Sequence, residues 1–93
     1  MAFPSYVKDP NAVLDYGFDW SNWLQDGESI VTAVWTIPTG ITKDSQDEST
    51  TVTVVWLSGG TDRKDYYVSC KITTDNVPAR TDERRMKIRV RNR

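Results

Sequence analysis

Histidine is absent from this chain, and cysteine occurs once. The first absence removes the usual general base near neutral pH and the commonest metal ligand. The second excludes an intrachain disulfide and leaves the redox compartment open, with a reducing interior slightly favoured for folding. Cys70 reads as a buried, inert thiol, since reactivity needs exposure and a nearby activating charge. Apolar runs last only a few residues, too short to cross a membrane. The N-terminus, Met1 to Tyr6, lacks a charged stretch followed by an apolar one. No signal peptide is expected, and the chain reads as made in the cytoplasm.

What is present fits one small domain. Ninety-three residues rarely hold two cores, and the stability margin of so short a chain is thin. Four Trp, four Tyr and two Phe supply the large buried units that such a core needs. Net charge is −1, yet it is unevenly spread. Seven basic residues lie between Arg80 and Arg93 against Asp82 and Glu83 alone, so an acidic body ends in a basic strand. Such a dipolar molecule is steered towards complementary surfaces.

Period-2 alternation dominates after residue 28, and no stretch sustains a helical period. Glu28–Ile37 reads as a strand with Val31, Ala33, Trp35 and Ile37 on one face. Pro38-Thr39-Gly40 breaks it. Ile41–Lys43 reads as a short strand, and Asp44–Ser49 as an exposed polar loop. Thr50–Leu57 follows with Val52, Val54 and Trp56 facing one way, and Ser58-Gly59-Gly60 turns. Asp65–Thr73 puts Tyr66, Val68, Cys70 and Ile72 inward. Arg84–Arg91 puts Met86, Ile88 and Val90 inward and Arg85, Lys87, Arg89 and Arg91 outward.

Earlier, Val13–Leu24 is unusually aromatic. Its first part reads as a strand and Ser21–Leu24 as a helical turn capped by Ser21. Short strands every 8–12 residues or so predict an all-β sandwich of about seven antiparallel strands. Its expected core is Val31, Trp35, Val54, Trp56, Val68, Cys70, Ile88 and Val90. Residues 1–7 form an expected N-terminal arm, with the domain at 8–93.

Two segments are candidate protein interfaces. Tyr16, Phe18, Trp20 and Trp23 place more rings in eight residues than one strand face hides, so either core packing or contact with a neighbouring chain fits. Arg85, Lys87, Arg89 and Arg91 fit a solvated or edge-guarding face, or contact with an acidic protein surface. Nucleic acid is disfavoured by the sequence pI of about 5.3. Asp44, Asp47 and Glu48 lack the spacing of the best-known calcium loop and read as solvated. No nucleophile–base pair, cleft carboxylates or phosphate loop can be assembled, so no catalysis, metal or cofactor is expected.

Several strings carry a family resemblance: Lys8-Asp9-Pro10, Val13 through Leu24 with its D-W-S-x-W-L, and Trp35-Thr36. The second half adds Val55 through Thr61 with W-L-S-G-G-T, Tyr67 through Thr74, and Arg80 through Arg84. From about Lys8 to Val90 the chain resembles the small fiber–tail adaptor proteins of tailed bacteriophages. The resemblance implies an immunoglobulin-like virion protein present in several copies, joining receptor-binding fibers or spikes to the tail. Its partners would be other phage structural proteins of tail, fiber or spike, with neck or portal-side components as further candidates, and neither nucleic acid nor membrane. A capsid decoration or neck protein, and a carbohydrate-binding module for the host surface, are the rival readings.

Overall fold

The computed structural model describes residues 4–92. Among them are seven strands and no helix: β1 (Ser5–Lys8), β2 (Leu14–Asp19), β3 (Ile30–Thr36), β4 (Ile41–Glu48), β5 (Val52–Gly59), β6 (Asp65–Thr74) and β7 (Thr81–Val90). One sheet has the order β1-β7-β6-β3 and the other β2-β5-β4. The all-β sandwich that alternation predicts is therefore present. All pairings are antiparallel except β1 with β7. In constant-type immunoglobulin domains the first strand joins the second, fifth and fourth; here it lies beside the seventh instead.

Strands β6 and β7 form as their alternation dictates. Val68, Cys70, Ile72, Met86, Ile88 and Val90 are completely buried, each aliphatic one contributing about 1.5–3 kcal/mol of burial. Gly59 and Gly60 carry the turn after β5 with φ of 77° and 99°. A Cβ on Gly60 would lie 2.7 Å from Val90 Cγ2, so only glycine lets this turn sit against the last core residue.

Strand β5 is turned over relative to the expectation. Thr53, Val55 and Leu57 are buried, whereas Val52 and Val54 are half-buried and Trp56 is 40% exposed. Both sides of this strand are apolar enough to be core, so alternation leaves its orientation undecided. A hydrogen bond decides it. The Trp20 indole Nε1 donates to Thr53 Oγ1 at 3.0 Å, the kind of acceptor a buried indole usually finds, although the buried Trp35 indole has none among the described residues.

Val31 is also not core: it is 58% exposed. The register of β3 against β6 slips between Ile30 and Thr32, leaving Val31 as the extra residue and giving Ile30 the inward place opposite Thr74. Asp44–Glu48, expected as a loop, instead completes β4, which shifts register between Lys43 and Ser45. Part of the expected arm is likewise structured. Ser5–Val7 belong to β1, while Met1–Phe3 lie outside the described residues. Lys8 ends β1 fully buried, its Nζ donating to the carbonyls of Asp9 (3.0 Å) and Gly59 (2.8 Å). Desolvation lowers its pKa from the usual lysine value, against the opposing pull of Asp9 and Asp44.

Candidate functional site

The aromatic segment goes mostly to the core. Tyr16, Phe18 and Trp20 are buried, with Phe18 stacked on Trp35 at 5.8 Å and edge-on to Trp20 at 6.0 Å. The helical turn after β2 is present, since the amides of Trp23 and Leu24 both donate to the Trp20 carbonyl. Its cap is Asp19, whose Oδ1 accepts from the Ser21 amide at 3.0 Å, in place of the expected Ser21. Trp23 stays half-buried on the rim, sandwiched between Trp20 and the Arg80 guanidinium, 4.1 Å from its ring centroid. In this conformation Trp23 is the ring of the four that a partner could reach.

Arg80 also closes the end of the sandwich. It donates to both carboxylate oxygens of buried Glu28 (2.9 and 2.7 Å) and to the Trp23 carbonyl. Glu28 further accepts from Thr74 Oγ1 and the Gln25 amide. The Arg80 bonds foremost hold the Glu28 carboxyl down to about 2, despite the opposing effect of burial. Every bond of this cluster joins residues far apart in the chain or in a turn, so periodicity gives no hint of it. A fully satisfied carboxylate is a lock rather than a reactive group.

The basic strand lies inside its sheet. Strand β6 pairs with it from Thr81 to Arg89, but β1 covers only Lys87–Val90 on the other side. The end with Lys87 and Arg89 is therefore no edge, while among the described residues Arg85 keeps a place where edge-guarding still fits. Its side chains do line the outward face. Arg85 and Arg89 are exposed, while Lys87 and Arg91 converge on Asp65 at 3.4 and 3.1 Å. Burial opposes ionisation of Asp65, but the bonds from Arg91 and Lys87 outweigh it and hold its pKa below the ordinary value. Tyr67, 47% exposed, sits between Arg85 and Lys87, each 6.0 Å from its ring. Lys71 and Val34, neighbours in register, extend the face towards β3.

The opposite outward face, on β2-β5-β4, has the other sign. Val52, Val54 and Trp56 form its central stripe. In register, Asp15 lies beside Trp56, Asp47 beside Val54 and Asp19 beside Val52. Gly17 stands opposite Val54 and puts no side chain over it; a Cβ there would meet the Thr53 carbonyl at 2.6 Å. A shallow depression lined by Asp47, Glu48, Ser49, Val52 and Val54 marks one end. Asp44, at the other end, accepts from Ser58 Oγ. Because β4 is a strand, Asp47 and Glu48 point to opposite sides, and the three acids do not converge. Among the described residues no group of three His, Cys, Asp or Glu is placed to hold a metal ion. Cys70 is buried, and burial pushes its thiol up to about 11.

The model of one protein family, described as podophage GP4 fiber-tail adaptor protein gp77, matches residues 8–89. The chain belongs to that family. No curated protein matches it. Membership makes the chain a bacteriophage tail adaptor by family and implies a virion component. The matched span includes the aromatic segment, the outward face of the smaller sheet and β7 to Arg89, so the family match covers the strands of the sandwich apart from Ser5–Val7 and Val90.

Proposed function

We propose that this chain joins fibers or spikes to the tail body by protein–protein contacts, in several copies per virion, after synthesis in the host cytoplasm. It acts by binding and not by catalysis. Membership of the fiber-tail adaptor family over residues 8–89 carries the reading. Two features of the surface support it: the basic face bearing Arg85, Lys87, Arg89 and Arg91, and the rim ring Trp23. The basic face docks on an acidic protein neighbour, for which charge complementarity supplies orientation and association rate.

Reversing Arg85 and Arg89 to Glu tests this docking. Both are exposed, so the isolated chain keeps its fold and melting profile while its incorporation into assembling particles is lost. Unchanged incorporation would overturn the docking. A second reading has one observation in its favour: Trp56 is exposed beside Asp15, the kind of pairing that stacks on and hydrogen-bonds a sugar. Tight, Trp56-dependent binding of the purified chain on a glycan array would favour a host-surface carbohydrate module over the adaptor.

A further inference from the structure

The two outward faces of this sandwich are complements of one another. On β2-β5-β4 the outward side chains include Asp15, Asp19 and Asp47 around Val54 and Trp56. The lysine of that sheet, Lys43, is in register with inward Leu57 and does not join them. On β1-β7-β6-β3 the outward side chains include Lys71, Arg85 and Arg89 around Tyr67, with Val34 59% exposed beside Lys71. Glu83, in register with Lys71, and Asp65, bound by Lys87 and Arg91, are acids on this face, and the cations outnumber them. Each face therefore has an apolar or aromatic centre and a charged surround, and the surrounds have opposite sign. Because the faces belong to different sheets of one sandwich, they look in opposite directions. A molecule with this arrangement presents to its neighbour the surface that its own far side fits.

We infer that the acidic neighbour of the basic face is a second copy of this chain: the Trp56 face of one copy docks on the Tyr67 face of the next. The contact is heterologous, each copy using one face as donor and the other as acceptor, so it repeats along a row of copies. Trp56 and Val54 meet Tyr67 and Val34, while Asp15 and Asp47 meet Arg85 and Arg89. Gly17 contributes by leaving Val54 uncovered. The inference rests on the docking proposed above and names its partner. The sandwich ends and the rim at Trp23 are left for tail and fiber proteins.

Two variants of the full chain separate the faces. Asp15→Lys with Asp47→Lys spoils the acidic face and keeps the basic one; Arg85→Ser with Arg89→Ser does the reverse. In sedimentation velocity the wild-type chain associates with rising concentration, less so in high salt, because exposed ionic contacts are screened. Each variant alone loses that association by about tenfold or more in dissociation constant. Mixed in equal amounts, they form a one-to-one pair that does not grow, since only one good face remains on each. Circular dichroism melts confirm that both variants fold, and Asp15→Asn with Asp47→Asn gives the same ranking if the lysines unfold the chain. A mixture that stays monomeric overturns the inference. So does either variant associating as well as wild type, which would place the contact elsewhere. The outcomes also separate this inference from the docking. A monomeric chain whose Arg85→Glu, Arg89→Glu form fails to enter particles means that the acidic neighbour is a tail or fiber protein. Self-association that survives beside normal entry of that form into particles means that the docking fails.

Discussion

The two sheets divide their apolar side chains differently. In the larger sheet, β6 and β7 put Val68, Ile72, Met86 and Ile88 inward and Ser69, Lys71, Arg85 and Lys87 outward, so one side is core and the other is water. In the smaller sheet, β5 has apolar residues on both sides and β4 has few on either. The inner lining differs as well: mostly aliphatic, with Tyr66, from the larger sheet's central strands, and aromatic, with Tyr16 and Phe18, from β2. Where only one side of a strand is apolar, desolvation alone selects its orientation. Where both sides are, a buried polar pair selects it, and the losing apolar stripe is left on the surface as Val52, Val54 and Trp56.

Three measurements probe this contrast, the largest first. Trp20→Ala removes the ring at the centre of the aromatic lining, and is expected to cost about 3–5 kcal/mol in urea unfolding. Ile88→Val, in the aliphatic lining, should cost about 0.5–1.5 kcal/mol. Equal costs for the two would contradict the central place given to Trp20. Next, Thr53→Val keeps the volume and makes the inward side of β5 more apolar. It nevertheless strands the Trp20 indole donor, so a loss of about 1–3 kcal/mol is expected. A gain in stability would show that the hydrogen bond does not orient the strand.

The smallest effect is confined to acid. The Glu28 carboxyl is held at about 2 in the folded chain against an ordinary 4.5, so its contribution is complete above about pH 4.5 and fades as pH falls towards 2. Wild type should therefore lose stability across that window more steeply than Glu28→Gln, which has no carboxyl to protonate. Parallel acid limbs in thermal melts of the two would remove Arg80–Glu28 as the lock between the turn at Trp23 and the larger sheet.

Legibility in the sequence follows the same division. Strands β6 and β7, the single sandwich, the buried Cys70 and the strand character of Tyr16–Asp19 are all readable from alternation, though the strand ends one residue before Trp20. The orientation of β5 is not, because Thr53 looks like a surface residue until its partner Trp20, distant in sequence, is placed beside it. Val31 is misjudged because a bulge adds one residue and moves the inward place to Ile30. The start of β4 at Ile41–Lys43 is readable, but its continuation is hidden because the D-S-Q-D-E composition is that of a loop, and pairing with β5 overrides it. The basic half of the candidate surface is visible as alternating Arg and Lys on β7. Its acidic half is scattered over β2 and β4, and only their pairing with β5 assembles it.

The parallel pairing of β1 with β7 has a mechanical consequence. Ser5–Lys8 run alongside Lys87–Val90 in the same direction, bracketed by bonds from the Lys87 amide to the Pro4 carbonyl and from the Arg91 amide to the Lys8 carbonyl. Tension drawn between the two ends of the chain would pull these strands past each other lengthwise. Their bonds would then share the load together instead of opening one after another, with the buried Lys8 ammonium pinned between the Asp9 and Gly59 carbonyls as a catch against sliding.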